Sequence, residues 1–245
     1  IPVYKGADRP ILGQWEPEAV YFGPDNFGNV AKNYTIGDNS ATDSTFAPLK
    51  IMELIRESCG QITLIMLGPL TNLAIALLVD PHITRDVREV FILGGNIEGR
   101  GNIRPGSEFN FLVDPEAAEV VLQRVECKVT TVPWEAVLKS TLPWVIRKIT
   151  FPGKKAKFLK DLTNHTVATF LGNGKSPGFS LGDFLAVLAA VDPDSVASKQ
   201  KNRVAVELTG THTKGMLVHG WADYMITHVN RTVDIVDYFN VTNIE

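Results

Sequence analysis

The alternation of short apolar runs with helical patterns is what most narrows the folds open to this chain. Residues 47–57 set Leu49, Met52 and Ile55 at helical spacing behind a Thr/Ser/Asp stretch able to cap, and Gly60 follows as a stop. Residues 61–67 (QITLIML) form a β-branched, apolar run fit for a strand buried on both faces, and residues 69–78 resume helical periodicity. The cycle repeats with a strand over 89–93 and a helix opened by Asp114 as N-cap and Pro115 as its first residue, and a third strand is expected over 128–132. Strands joined by crossover helices imply an α/β fold: an open, mostly parallel sheet with helices on both faces, whose ligands bind outside the carboxyl ends of the strands. Further on, residues 154–171 read as an amphipathic helix and 183–191 as an apolar one, and 203–208 and 216–219 read as strands. Trp134 and Val187 are core candidates, so that Val187→Asp is expected to unfold the domain.

Between the second strand and its helix lies the richest loop of the chain, GGNIEGRGNIRPGSEFNFLVDPE over residues 94–116. Its glycines allow left-handed backbone and close approach, and Asn102, Glu108 and Asn110 place acceptors and donors together in a form suited to a polyhydroxylated ligand such as a sugar. An ordinary surface connection accounts for most such loops. Glu108 and Asn110, two apart, point to the same side if the segment is extended.

The 245 residues fit one large α/β domain, 1–245, with no linker-like tract dividing it. A formal net charge of −3 with 21% charged residues offers nucleic acid no basic footprint and favours a small ligand. No apolar run reaches the roughly 18 residues that span a bilayer, so no membrane partner is expected, and residues 1–10 show no leader pattern. Cys59 and Cys127 lack metal-ligand spacing and read as core thiols. Sequons at Asn33, Asn164, Asn230 and Asn240 leave the compartment open between cytoplasm and secretion.

Five segments in order, IPVYKGADRP, LGPLTNLAIAL, LGGN with a following GN, EFNFLVDPEAA and GDFLAVLAAVDP, together resemble the inosine-uridine preferring nucleoside hydrolase family. The resemblance spans most of the chain and implies a Rossmann-like core, a bound Ca²⁺ and cleavage of the N-glycosidic bond between ribose and a nucleobase. Such cleavage passes through an oxocarbenium-like sugar, so the ribose must be held and water delivered to its anomeric carbon. By this resemblance Thr71 gives its backbone carbonyl and Asp183 its carboxylate to the metal, hard oxygens of the kind Ca²⁺ takes. Taken alone, Thr71 is an ordinary helix N-terminal residue and Asp183 an N-cap. Asn102, Glu108, Asn110 and Asp183 match ribose-holding positions. By the same resemblance Phe109 would lie near the leaving base or pack beneath it, and Leu93, standing where Met is frequent, would present its backbone near the sugar; ordinary packing accounts for either residue. Gly23 and Asp25 match an early loop of the family in which Phe22 replaces a His. Relatives assemble as homo-dimers or homo-tetramers, and the resemblance leaves that choice open.

The departures bear on activity. The family's DxDxGxDD cluster, which provides further Ca²⁺ ligands and the general base, has no counterpart in the sequence. The expectation is that an N-terminal piece, one or two βα units with the first strand, is absent from this chain. Gly182 stands where many members carry the His that protonates the leaving base, and His82, His165, His212, His219 and His228 fall in no matching motif. Three functions follow for comparison: a nucleoside hydrolase, a non-catalytic nucleoside- or ribose-binding protein of the same fold, and an unrelated phosphate-binding α/β protein. The third requires GxGxxG or GxxxxGK[ST], and neither string occurs.

Overall fold

In the computed structural model, residues 1–14, 21, 23–35, 42–142, 153–171, 178, 180–222, 224–229 and 231–240 are described; Phe22 and Asn230 lie outside them. A two-stranded parallel pair, β1 (Val3–Tyr4) and β2 (Thr42–Asp43), stands apart from a six-stranded sheet. That sheet contains β3 (Ile62–Met66), β4 (Val87–Leu93), β5 (Lys128–Val132), β6 (Val196–Val206), β7 (Leu217–Gly220) and β8 (Val233–Phe239), in the order β3-β4-β5-β8-β6-β7. The first four in that order run parallel, and β6 runs antiparallel to both β8 and β7. The sheet is therefore mostly parallel and open, as the alternation of elements requires.

Two apolar layers cover the sheet, and β4 shows why. Val90 and Ile92 point into the layer built with Met52 and Ile55 of α1 (Ala47–Glu57), Leu73 and Leu77 of α2 (Thr71–Val79) and Val121 of α4 (Pro115–Arg124). Phe91, between them, points into the opposite layer with Val137 of α5 (Trp134–Lys139) and Leu185 and Ala189 of α7 (Gly182–Val191). Alternate residues of one strand thus serve opposite faces. Two further α-helices among the described residues are α3 (Phe109–Val113) and α6 (Lys154–Thr166), the latter running into a π-helical turn over Val167–Leu171.

The carboxyl-terminal third corrects the sequence reading. Strand β8, VDIVDYF, sits between β5 and β6 yet carries two aspartates, a residue type that strands disfavour. Asp234 is accommodated because Lys199 of β6 reaches it at 2.9 Å, and Asp237 accepts hydrogen bonds from Ser198 and Gln200. The same cross-strand pairing extends β6 back to Val196, well before residue 203, through a polar stretch that shows no apolar alternation. Strand β3 forms one edge of the sheet, paired only with β4, and its five residues are half-buried rather than enclosed on both faces.

Val187 is a second correction. Helix α7 turns Leu185, Ala186 and Ala189 inward and leaves Val187 half-buried, because residues one to two positions away from the buried stripe fall on its flank. Val187→Asp is accordingly expected to cost about 1 kcal/mol, the order of half a valine's burial, and to leave the domain folded. Circular dichroism melting of the variant checks this, and loss of the helical signal at 25 °C would return Val187 to the core. Trp134 is also half-buried, packed against the second apolar layer.

Candidate active site

The site grows from the carboxyl ends of β3 and β4. Asn110 is buried, and its side-chain amide donates to the carbonyl of Leu93 at 2.9 Å and to that of Leu67 at 3.3 Å. It ties the ends of two neighbouring strands together and leaves its own Oδ1 free of any hydrogen bond within the described residues. The Leu93 carbonyl is thereby engaged by Asn110, while its side chain packs beside Gly182 at the start of α7.

Glu108 and Asn110 do not lie in an extended segment. Glu108 is the N-cap of α3: its Oε1 accepts from the Asn110 amide at 2.9 Å and its Oε2 from the Phe111 amide at 3.2 Å. A third amide, that of Gly95, reaches Oε2 at 3.2 Å from the other end of the loop. The acid at this position captures the orphan amides of a one-turn helix, so local capping rather than strand alternation brings the two side chains to one place. Gly94 is required there, since a Cβ would collide with the ring of Phe111, and Gly95 holds a left-handed φ of 78°.

The electrostatics of the pocket are set by burial. Removal from water pushes the Glu108 carboxyl up to about 7 against the pull of its three amides, and the negative charge of Asp183 pushes the same way. Burial also raises the Asp183 carboxyl. Asp183, itself exposed, follows Gly182, which packs beside Leu93 at the end of β4, and its charge is felt at Glu108. Asp183 is the second residue of α7, with Leu181 as N-cap, so it occupies the first turn rather than the cap expected from the sequence. Its carboxylate has no hydrogen-bond partner among the described residues. Tyr21, which the sequence reading passed over, feels the Asp183 charge: although 39% exposed, its phenol is raised by partial burial and then by Asp183.

Thr71, the first residue of α2, is buried, and its hydroxyl donates to Asp114 Oδ2 at 2.6 Å. Asn102 is exposed on the loop, and its Oδ1 accepts from the Phe109 amide at 2.9 Å; Phe109 itself is half-buried. Asp25 is occupied by its own loop, accepting from the amides of Phe27, Asn29 and Ala31. Among the five histidines His219 is buried, with Nε2 on the Asn96 carbonyl at 2.7 Å, as a packing role requires, and its Nδ1 has no partner among the described residues.

The sequence profile of the family described as inosine-uridine preferring nucleoside hydrolase matches residues 1–244. The chain belongs to the inosine-uridine preferring nucleoside hydrolase family. It is 28% identical over 238 residues to the inosine-uridine preferring nucleoside hydrolase of Crithidia fasciculata, covering 96% of this chain and 74% of that one. It is 29% identical to the pyrimidine-specific ribonucleoside hydrolase RihB of Escherichia coli, where it covers 82% of this chain and spans 63% of the relative. Among solved structures, a plant nucleoside hydrolase superposes with a TM-score of 0.88 at 25% identity, covering 99% of this chain and 77% of that chain. An inosine-guanosine nucleoside hydrolase gives 0.87 at 28% identity, with 99% and 78% covered. The fold of this nucleoside hydrolase family member is therefore that of its relatives over nearly all of its length. No described helix is long and apolar enough to cross a membrane.

Two residues of this family member that sequence reasoning missed as site-builders are Asp114 and Asn96. Asp114 was legible only as an N-cap, a role it keeps by accepting from the Ala117 amide at 3.0 Å. Its second oxygen also holds the Ile11 amide and Thr71, a convergence of three distant segments that no local spacing announces. Asn96 joins the glycine-rich loop to β7 by accepting from the Leu217 amide at 2.8 Å and donating to the Gly106 carbonyl.

Proposed function

We propose that this chain provides the pentose-holding wall of a ribonucleoside hydrolase site, acting on nucleosides to give ribose and free base. What supports the reading is that Asn110 and Glu108 sit at the carboxyl ends of β3 and β4, with Gly182, the neighbour of Asp183, beside Leu93, in the region where open α/β sheets bind ligands. Glu108, when ionised, is an acceptor for a sugar hydroxyl, and Asn110 offers Oδ1 to a second one while its amide stays on the strand carbonyls. Phe109, next to Glu108 in the chain, is assigned the packing against the sugar or base. Asn102, capping the Phe109 amide, supports this wall from the solvent side.

The family relationship calls for Ca²⁺, and two donors of the chain fit it in kind: the Asp183 carboxylate and the Thr71 backbone carbonyl are hard oxygens. They do not fit it in number, since no group of three or more His, Cys, Asp or Glu side chains able to hold a metal occurs among the described residues, whereas calcium takes about six to eight oxygens. No step of the reaction is therefore routed through the metal.

The 245 residues expressed alone are expected to bind ribose and to release none from inosine or uridine with Ca²⁺ present. Titration calorimetry with ribose and a reducing-sugar assay test the two parts separately. Absence of ribose binding would remove the proposed site, and measurable turnover would show that the residues of this chain suffice for hydrolysis. Whether the protein works as a homo-dimer or homo-tetramer is read from the same samples by sedimentation.

A further inference from the structure

Glu135 is a carboxylate buried at 1% exposure in the first turn of α5, and nothing in the pentose wall described above uses it. Its Oε2 accepts from the amide of Ile97 at 2.8 Å, and its Oε1 accepts from the amides of Glu98 at 2.9 Å and Arg100 at 3.0 Å. All three donors are backbone groups of the glycine-rich loop. No Lys or Arg pairs with Glu135 among the described residues, so its charge is balanced by these amide dipoles and by the N-terminal end of its own helix. One residue earlier, the Trp134 amide donates to the Gly95 carbonyl at 3.0 Å, so the start of α5 grips the loop at four backbone positions between residues 95 and 100.

The arrangement couples to the site through short connections. Gly95, at the near end of the gripped segment, donates its amide to Glu108 Oε2. At the far end, Gly101 and Asn102 close the turn on Pro105 and Ser107, and Asn102 caps the amide of Phe109. Displacing residues 97–100 would leave a buried carboxylate without its donors, which makes alternative loop positions costly.

We propose that Glu135 is a positioning residue that fixes the glycine-rich loop so that Gly95 and Asn102 hold Glu108 and Phe109 in register for the pentose. It touches no substrate, and the proposal rests on the ribose-binding reading given above. Glu135→Gln keeps the size but presents an amide NH₂ to at least one backbone N–H, whereas Glu135→Asp keeps the charge and withdraws it by one methylene. Asn96 holds the loop to β7 independently, so the loop retains an attachment in both variants.

The test compares wild type with both variants of the 245-residue chain, using amide hydrogen exchange and calorimetric titration with ribose. Glu135→Gln is expected to speed exchange at Ile97, Glu98 and Arg100 by about tenfold or more, with Val90 and Ile92 in the core unchanged, and to weaken ribose binding by about tenfold. Glu135→Asp is expected to fall between and takes the place of the Gln variant if that one does not fold. Faster loop exchange with unaltered ribose affinity would reduce Glu135 to a purely structural anchor and overturn the proposal, as would unaltered exchange. Failure of wild type to bind ribose sinks the ribose reading and this proposal with it, and is told apart from failure of the grip because exchange reports the grip without any ligand.

Discussion

Replacing Asp114 with alanine is expected to lower the melting temperature by about 10 °C. Asp114 is completely buried and satisfies three donors: the Ile11 amide at 2.9 Å, the Thr71 hydroxyl at 2.6 Å and the Ala117 amide at 3.0 Å. Loss of the cap costs about 1 kcal/mol, and each buried donor left without an acceptor costs roughly 1–3 kcal/mol, partly relieved by relaxation. A total of about 4 kcal/mol converts to roughly 10 °C for a domain of this size, at about 2–4 °C per kcal/mol. The damage is also directed, because the residue docks the segment around Ile11 onto α2 and holds the hydroxyl of Thr71. Asn72 still holds that segment through the Ala7 amide at 2.8 Å, and the Ala47 amide holds it through the Lys5 carbonyl. Differential scanning fluorimetry decides the matter, and a shift below about 2 °C would show that water replaces the carboxylate at little cost.

The second large effect is a pH dependence centred on Glu108. Burial, the main cause, pushes its carboxyl up from an ordinary 4.5 to about 7 in the folded chain. The folded state therefore keeps a proton that the unfolded state releases as the pH climbs past 4.5. Stability from this group is fully present below that value, falls as pH rises toward 7 and levels off above it, a loss of about 3 kcal/mol at 1.36 kcal/mol per unit. Ligand binding moves the opposite way, because a sugar hydroxyl donates to the ionised form. In metal-free buffer, ribose affinity is expected to rise about tenfold between pH 6 and pH 8, while the melting temperature falls over the lower part of the range. Glu108→Gln, which cannot ionise, should flatten both curves. A ribose affinity independent of pH in the wild type would show that Glu108 does not receive the sugar.

Capping explains both how much of the site could be read in advance and where that reading stopped. Glu108 and Asn110 stand out by their place in EFNFLVDPEAA, yet the segment that carries them is not extended but a helical turn, too short to show a hydrophobic period. Asp183 is rightly placed at the beginning of an apolar helix, but which residues of that helix face inward is decided by the layer it packs on, and this moved Val187 to the flank. Strand β8 escaped notice because Asp234 and Asp237 break its apolar pattern, and their partners, Lys199, Ser198 and Gln200, belong to a strand more than thirty residues away.

By itself the sequence determined the alternation of strands and helices, the parallel half of the sheet, the cap at Asp114 and the membership of one family, since each depends on residues near one another or on motifs kept in order. The tertiary structure alone decided the antiparallel half, the three-way junction at Asp114 and the grip of Glu135 on the glycine-rich loop. Those features are hydrogen bonds and ion pairs between groups distant along the chain. Their strength comes from burial, which no single segment possesses until the others have packed against it.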